Sequence, residues 1–322
     1  MIMAEFHQVQ FFTVEPDYAG QRIDNFLLAR LKGVPKSRIY RLLRKGEVRV
    51  NKGRVKPEYK VCAGDSVRVP PIRLAEAGDQ VPVGPELAAR LEAAILFEDA
   101  LMLAVNKPPG LAVHGGSGVQ VGLIEALRQM RPECKFLELV HRIDRETSGI
   151  VLVAKKRTSL KMLQAQFREK SENMTLAGIK KTYWALVDGQ WPAARKAVDE
   201  PLLRTELANG DRIVRVSAEG KPSKTLFKVL ALLRGASWVE AMPVTGRTHQ
   251  IRVHARIVGC PLLGDGKYGD DGVNAKLKAQ GLRRLCLHAA RLEFLHPEDE
   301  RPMTLAAPMP EDMQQLVEAL GC

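Results

Sequence analysis

No stretch of this chain approaches the roughly 20 consecutive apolar residues that a membrane-spanning helix needs. The opening Met1-Ile2-Met3-Ala4-Glu5-Phe6-His7 also lacks the basic-then-apolar order of a secretory signal. The five cysteines, Cys62, Cys134, Cys260, Cys286 and Cys322, are odd in number, scattered and never paired as C-x-x-C. That spacing argues against a disulfide framework and against a structural zinc site. Free thiols in a reducing cytoplasm are the expectation. Phosphate-binding loops are missing too: Gly116, Gly118 and Gly122 hint at G-x-G-x-x-G, but Val121 holds the last glycine position. No G-x-x-x-x-G-K-[ST] occurs, so nucleotide-driven chemistry has no support.

Acidic residues are scarce where basic ones crowd. Across 322 residues, 49 Lys+Arg against 37 Asp+Glu leave a net charge of +12, a balance that favours polyanions. Within residues 18–72 the imbalance is sharpest, because Glu47 is the only acid between Asp24 and Glu58. Ile23, Phe26 and Leu27 at i, i+3, i+4 predict one short helix there. Pro35, a cap at Ser37, the apolar Ile39, Leu42 and Leu43, and a stop at Gly46 predict a second. Its outward side carries Arg38, Arg41, Arg44 and Lys45 within two turns. Like charges at helical spacing repel one another, so the row makes more sense facing phosphates than facing water. Val48-Arg49-Val50 and Ser66-Val67-Arg68-Val69 read as short strands about the turn-like Asn51-Lys52-Gly53.

Residues 73–92, with Gly78, Pro82, Gly84 and Pro85, read as a linker, and a second domain spans 93–322. Strand-like runs at 101–105, 150–154, 183–187 and 213–216 mix with helical patterns at 123–130, 160–168, 248–258 and 311–320. They do so without a βαβ rhythm, which predicts an α+β fold with a mixed sheet.

The most informative word is His141-Arg142-Ile143-Asp144-Arg145-Glu146-Thr147-Ser148-Gly149, just before the apolar run Ile150 to Ala154. A carboxylate flanked by two arginines is expected to stay ionised, and Glu146 two residues on suggests a paired-carboxylate site. An ordinary capped turn would also account for an isolated Asp in such a loop. Further along, Pro243-Val244-Thr245-Gly246-Arg247-Thr248-His249-Gln250-Ile251-Arg252-Val253-His254 places two histidines at i, i+5. That spacing turns them about 140° apart on a helix, unlike the i, i+4 pair of H-E-x-x-H, so no metal site is expected.

The nine-residue word resembles the catalytic motif of the RNA pseudouridine synthases, in the branch that modifies large-subunit ribosomal RNA and some tRNAs. Asn106-Lys107-Pro108-Pro109-Gly110, Lys180-Lys181-Thr182-Tyr183-Trp184-Ala185-Leu186-Val187 and the Pro243 to His254 segment match the same family in order. Residues 18–72 resemble the S4-type RNA-binding module. The resemblance implies Asp144 as catalytic acid group, attacking C1′ of the target uridine or removing its C2′ proton. It further implies Arg252 as the cation paired with Asp144, Tyr183 as the active-site tyrosine, and Arg142 as the side chain filling the gap left by a flipped base. The Asn106 turn is expected to be structural, and Leu262 to Gly269 and Leu285 to Ala289 to supply loop and pocket wall. No cofactor is implied, since the reaction is an isomerisation. The runs 135–140, 189–191, 213–217 and 220–223 look most like enzymes acting on 23S ribosomal RNA. That RNA, or a large-subunit assembly intermediate, is therefore the expected partner of a monomer. Two rivals remain: an RNA-binding assembly factor with a lapsed site, and a ribonuclease using His249 or His254 as general acid/base.

Overall fold

Apolar residues at helical and alternating spacing build the hydrophobic clusters at the centre of the fold's elements. The computed structural model describes residues 8–31, 34–72, 81–115, 121–168, 178–206 and 212–321. The expected signal-free opening at 1–7, Gly116, Gly118 and Cys322 lie outside them. Contacts divide the chain into a unit ending at Val81 and one beginning at Pro82.

The first unit contains β1 (Gln10–Thr13), α1 (Ile23–Arg30), α2 (Lys36–Lys45), β2 (Arg49–Val50), β3 (Gly53–Arg54) and β4 (Ser66–Val69). Its antiparallel sheet runs β1-β4-β2-β3. Ile23, Phe26 and Leu27 of α1 pack with Ile39, Leu42 and Leu43 of α2 over Val50, Val67 and Val69. Because Gln10–Thr13 pairs with β4, the unit reaches further upstream than the basic block from residue 18 suggests. Gly46 ends α2 in the left-handed conformation, at φ 70°. The start differs from expectation. Pro35, not Ser37, is the cap, and its carbonyl accepts from the Arg38 and Ile39 amides. Ser37 therefore lies inside the first turn.

The second unit opens with α3 (Pro85–Ala93), β5 (Ile95–Glu98), β6 (Met102–Lys107), α4 (Leu123–Met130), β7 (Glu138–Leu139), β8 (Ser148–Ala154) and α5 (Arg157–Arg168). There follow β9 (Lys180–Asp188), β10 (Ala197–Asp199), β11 (Leu202–Glu206), β12 (Arg212–Val216), β13 (Lys224–Leu233) and β14 (Ala236–Pro243). Then come α6 (Gln250–Ile257), α7 (Asp271–Ala279), β15 (Leu287–Leu295), β16 (Pro302–Ala306) and α8 (Glu311–Gly321). A ten-stranded sheet runs β10-β13-β14-β9-β15-β8-β6-β5, with β16 beside β15 and β7 beside β8. Among the described strands only β15 and β8 pair in parallel, so the sheet is mixed and the fold α+β, as the sequence implies. The linker expectation differs from the structure at one end. Residues 73–80 lie outside the described residues, but Pro85 opens α3, where its missing N–H is no loss, and Leu91 is fully buried.

The parallel pair explains the last residue of the nine-residue word. Gly149 has φ +109°, and a Cβ there would collide with the Ala289 backbone of β15. Only glycine fits, so the loop before β8 must enter the sheet at this point.

Candidate active site

Asp144 sits in that loop, and the side chains that meet it, His249 and Arg252, come from more than 100 residues further along the chain. Asn106-Lys107-Pro108-Pro109-Gly110 leaves β6 and turns back beneath the loop. The fully buried Lys107 Nζ donates to the carbonyls of Pro108 (2.8 Å), Leu111 (2.8 Å) and Arg145 (3.0 Å). Gly110 N donates to Arg145 O at 2.9 Å, and Arg145 Nε donates to Gly110 O at 2.8 Å. This turn is thus a clamp on the Asp144 loop. Among the described residues no carboxylate is in hydrogen-bond contact with Lys107, and burial pushes its ammonium down to about 7.

Neither arginine flanking Asp144 pairs with its carboxylate among the described contacts. Arg145 is tied to Gly110, with its exposed neighbour Glu146 at 3.6 Å, and Arg142 is exposed. Arg252, from α6, approaches instead: its Nη1 lies 3.4 Å from Asp144 Oδ2. The same guanidinium donates Nε and Nη2 to the two oxygens of Asp265, each at 2.7 Å. Asp265 is buried and also accepts from the Lys267 and Tyr268 amides at 2.9 and 3.0 Å. Burial opposes its charge, but the Arg252 bonds and these amides hold its carboxyl below the usual range. The bidentate partner of Arg252 is therefore Asp265, and Asp144 receives the remaining arm.

Asp144, Arg142, Tyr183, His249 and Arg252 line one cavity of about 310 Å³. Tyr183 extends from β9, where it alternates with Lys181 onto the same side. Burial, then the nearby Asp144 charge, pushes the Tyr183 phenol well above its ordinary value, so it remains protonated. Burial pushes Lys181 down to about 8. Deeper in the wall, His141 stacks on Phe167 at 4.4 Å and its Nε2 accepts from the Leu152 amide at 3.1 Å. Burial holds that imidazole neutral, with its pKa near 3. A second cavity of about 320 Å³ meets the first at Arg142, Asp144, His249 and Arg252.

The two histidines of the Pro243 to His254 segment part company. His249 Nε2 lies 3.8 Å from Asp144 Oδ2, whereas His254 is fully buried against Ser223 (3.0 Å) and Thr225 (2.9 Å). In the first unit, Arg41, Arg44 and Lys45 are exposed on α2, as their spacing predicts, whereas Arg38, expected beside them, is half-buried. Sequence reasoning missed Asp265, Lys107 and Lys181 as site residues. Asp265 and Lys107 lie in segments singled out as loop and turn, and the i, i+2 step from Tyr183 points to Lys181.

Comparison with known proteins matches residues 101–256 to the RNA pseudouridylate synthase family and residues 21–67 to the S4 domain. Ribosomal large subunit pseudouridine synthase C of Pasteurella multocida (strain Pm70) is 54% identical over 97% of this chain and 94% of its own length. The chain belongs to the RNA pseudouridylate synthase family. The Escherichia coli (strain K12) protein of the same name is also 54% identical, over 97% of each chain. Among solved structures, human RNA pseudouridylate synthase domain containing 4 superposes on the synthase with a TM-score of 0.59. It shares 28% identity and covers 72% of this chain and 95% of its own.

Proposed function

We propose that this synthase isomerises specific uridines of 23S ribosomal RNA to pseudouridine, with Asp144 as the group that acts on the ribose. Supporting the substrate are the full-length likeness to the large-subunit synthases and the exposed cations of α2. Supporting the chemistry is one observation above all: Asp144 faces the cavity with Arg252 at 3.4 Å and the protonated Tyr183 on the same wall. Two unit charges about 4 Å apart attract by about 4 kcal/mol at an effective dielectric of 20, an attraction that keeps the carboxylate beside Arg252. Asp144 either attacks C1′ or removes the C2′ proton; both routes break the N1–C1′ bond and free uracil from the ribose. The base then turns, C5 bonds to C1′ as the group on Asp144 is given back, and the C5 proton leaves. Tyr183 stacks on the uracil. The target must leave its stack at a cost of a few kcal/mol, and the exposed Arg142 fills the vacated space, where a guanidinium can stack and bind phosphate together. The enzyme works as a cytoplasmic monomer on naked RNA or an assembly intermediate, without a cofactor.

The test uses 23S transcript tritiated at uridine C5. The parent protein releases tritium without cutting the strand, and Asp144→Asn releases essentially none. Release by that variant at the parental rate refutes the assignment, while strand scission by the parent points to a nuclease.

A further inference from the structure

Among the described side chains within 4 Å of the Asp144 carboxylate, His249 is the one that the proposed reaction leaves without a task, and its protonation state can be read from its partners. Tyr268 Oη accepts the Val214 amide hydrogen at 2.9 Å and lies 2.7 Å from His249 Nδ1. Tyr268 is buried, and among the described residues no other acceptor meets its hydroxyl. Its own hydrogen must therefore go to Nδ1, because a buried hydroxyl hydrogen without a partner is penalised. An imidazole that accepts at Nδ1 carries its proton on Nε2, and Nε2 is the atom 3.8 Å from Asp144 Oδ2.

Two further facts converge. Arg252 Nη1 approaches the same oxygen, Oδ2, at 3.4 Å, and no donor among the described residues contacts Oδ1. His249 itself holds the left-handed conformation, φ 54° and ψ 19°, just before α6. A non-glycine residue keeps that conformation when its surroundings demand it.

We propose that His249 is a positioning residue, fixed by Tyr268 as the Nε2–H tautomer, which with Arg252 holds Oδ2 of Asp144 from two sides and leaves Oδ1 as the reacting oxygen. The inference rests on the role given to Asp144. A neutral N–H donor steadies the carboxylate without cancelling the charge the reaction uses. Protonating His249 reverses this: Nδ1 gains a hydrogen, Tyr268 Oη must accept where it had donated and its own hydrogen is left without a partner, and a full positive charge faces Asp144. The groups around the ring are Asp144 from the loop before β8, Arg252 from α6, and Asp265, Lys267 and Tyr268 from the loop after it. Burial, against the pull of Asp144, keeps the imidazole pKa below its ordinary value.

The test begins with nitrogen-15 NMR of histidine-labelled protein at pH 7.5, the resonance being assigned by its loss in H249Q. A protonated Nε2 and bare Nδ1 are expected, with the tautomers mixing in Y268F; a protonated Nδ1 in the parent overturns the proposal. Single-turnover rates on 23S transcript come second. H249L should slow conversion by about 10-fold, the low end for a hydrogen bond to a charged group because Nε2 stands 3.8 Å from Oδ2, with half-saturation little changed. H249Q, whose amide reaches the Nε2 position, should recover most of that loss. It should also shift the acid limb of the rate profile, and a limb that stays put means a merely structural role. Parental rates in H249L beside an inert D144N sink this inference alone; an active D144N sinks the assignment beneath it. Should H249L fail to fold, the spectrum and the H249Q profile still decide.

Discussion

Arg41, Arg44 and Lys45 project from α2 into solvent, whereas Arg252, Lys107 and Arg284 of the second unit lie under the surface with their donors directed at named atoms. Cations of the first kind act through a shared field that salt screens, so any one of them is replaceable. Those of the second kind act in a low dielectric, where an unmatched charge is penalised by several kcal/mol and each bond has a fixed direction. The first unit can bind a polyanion by sheer excess. The second needs Arg252 in one place, because its position sets where the Asp144 carboxylate points.

The contrast breaks most visibly at Asp265. Removing one partner of a buried pair typically costs about 3–5 kcal/mol, and D265A strands the Arg252 guanidinium. Urea unfolding should report that loss. Single-turnover conversion should fall by about 100-fold, the order expected when a reacting group is misplaced by an ångström. A double variant, D265A with R252M, should regain much of the stability and none of the rate. If D265A unfolds at the parental midpoint, the buried pair does not organise the site.

Buried histidines give the next largest effect. Ser148 Oγ accepts from Arg284 Nη2 at 2.5 Å, so its own hydrogen goes to His288 Nδ1 at 2.8 Å, beside the Gly149 entry into the sheet. Burial pushes His288 down to about 4. The unfolded chain takes up this proton near pH 6.5 and the folded one only near 4. Stability is therefore complete above pH 6.5 and declines as pH falls, by about 3 kcal/mol across that window for this residue. Unfolding free energies of the parent and H288Q should draw together by that amount between pH 6.5 and 4. Parallel curves would mean that His288 takes up its proton at the same pH folded and unfolded.

How far the site could be read from sequence follows the same division. Asp144, Tyr183 and Arg252 stand in short words whose residue types and order survive as a string, and the outward row of α2 follows from helical spacing alone. The partner of Arg252 could not be read in that way. Asp265 reaches it through the turn after α6, and the flanking Arg145, which sequence proximity favours as the partner of Asp144, bonds to Gly110 instead. Lys107 reads as part of a turn because its function is to satisfy carbonyls from Pro108, Leu111 and Arg145, the last of which only the tertiary fold brings within reach. The helix Pro85–Ala93 was hidden in a Gly- and Pro-rich stretch, since one buried leucine, Leu91, is too little pattern to announce it.

The smallest effects are expected on α2. Each phosphate contact removed should flatten the slope of log affinity against log salt by about 0.7 to 0.9. R41A and R44A singly should therefore weaken 23S RNA binding modestly, and nearly alike, at moderate salt. Their stability should match the parent, because both side chains face solvent in the folded protein. The double variant should add the two slopes, as independent contacts do, and single-turnover conversion at saturating RNA should stay at the parental rate. Measured by fluorescence anisotropy across a salt series, unchanged slopes would remove α2 from the RNA interface. A loss concentrated in one arginine and insensitive to salt would instead make that residue a directed contact of the buried kind, and the contrast between the two units would fail at that residue.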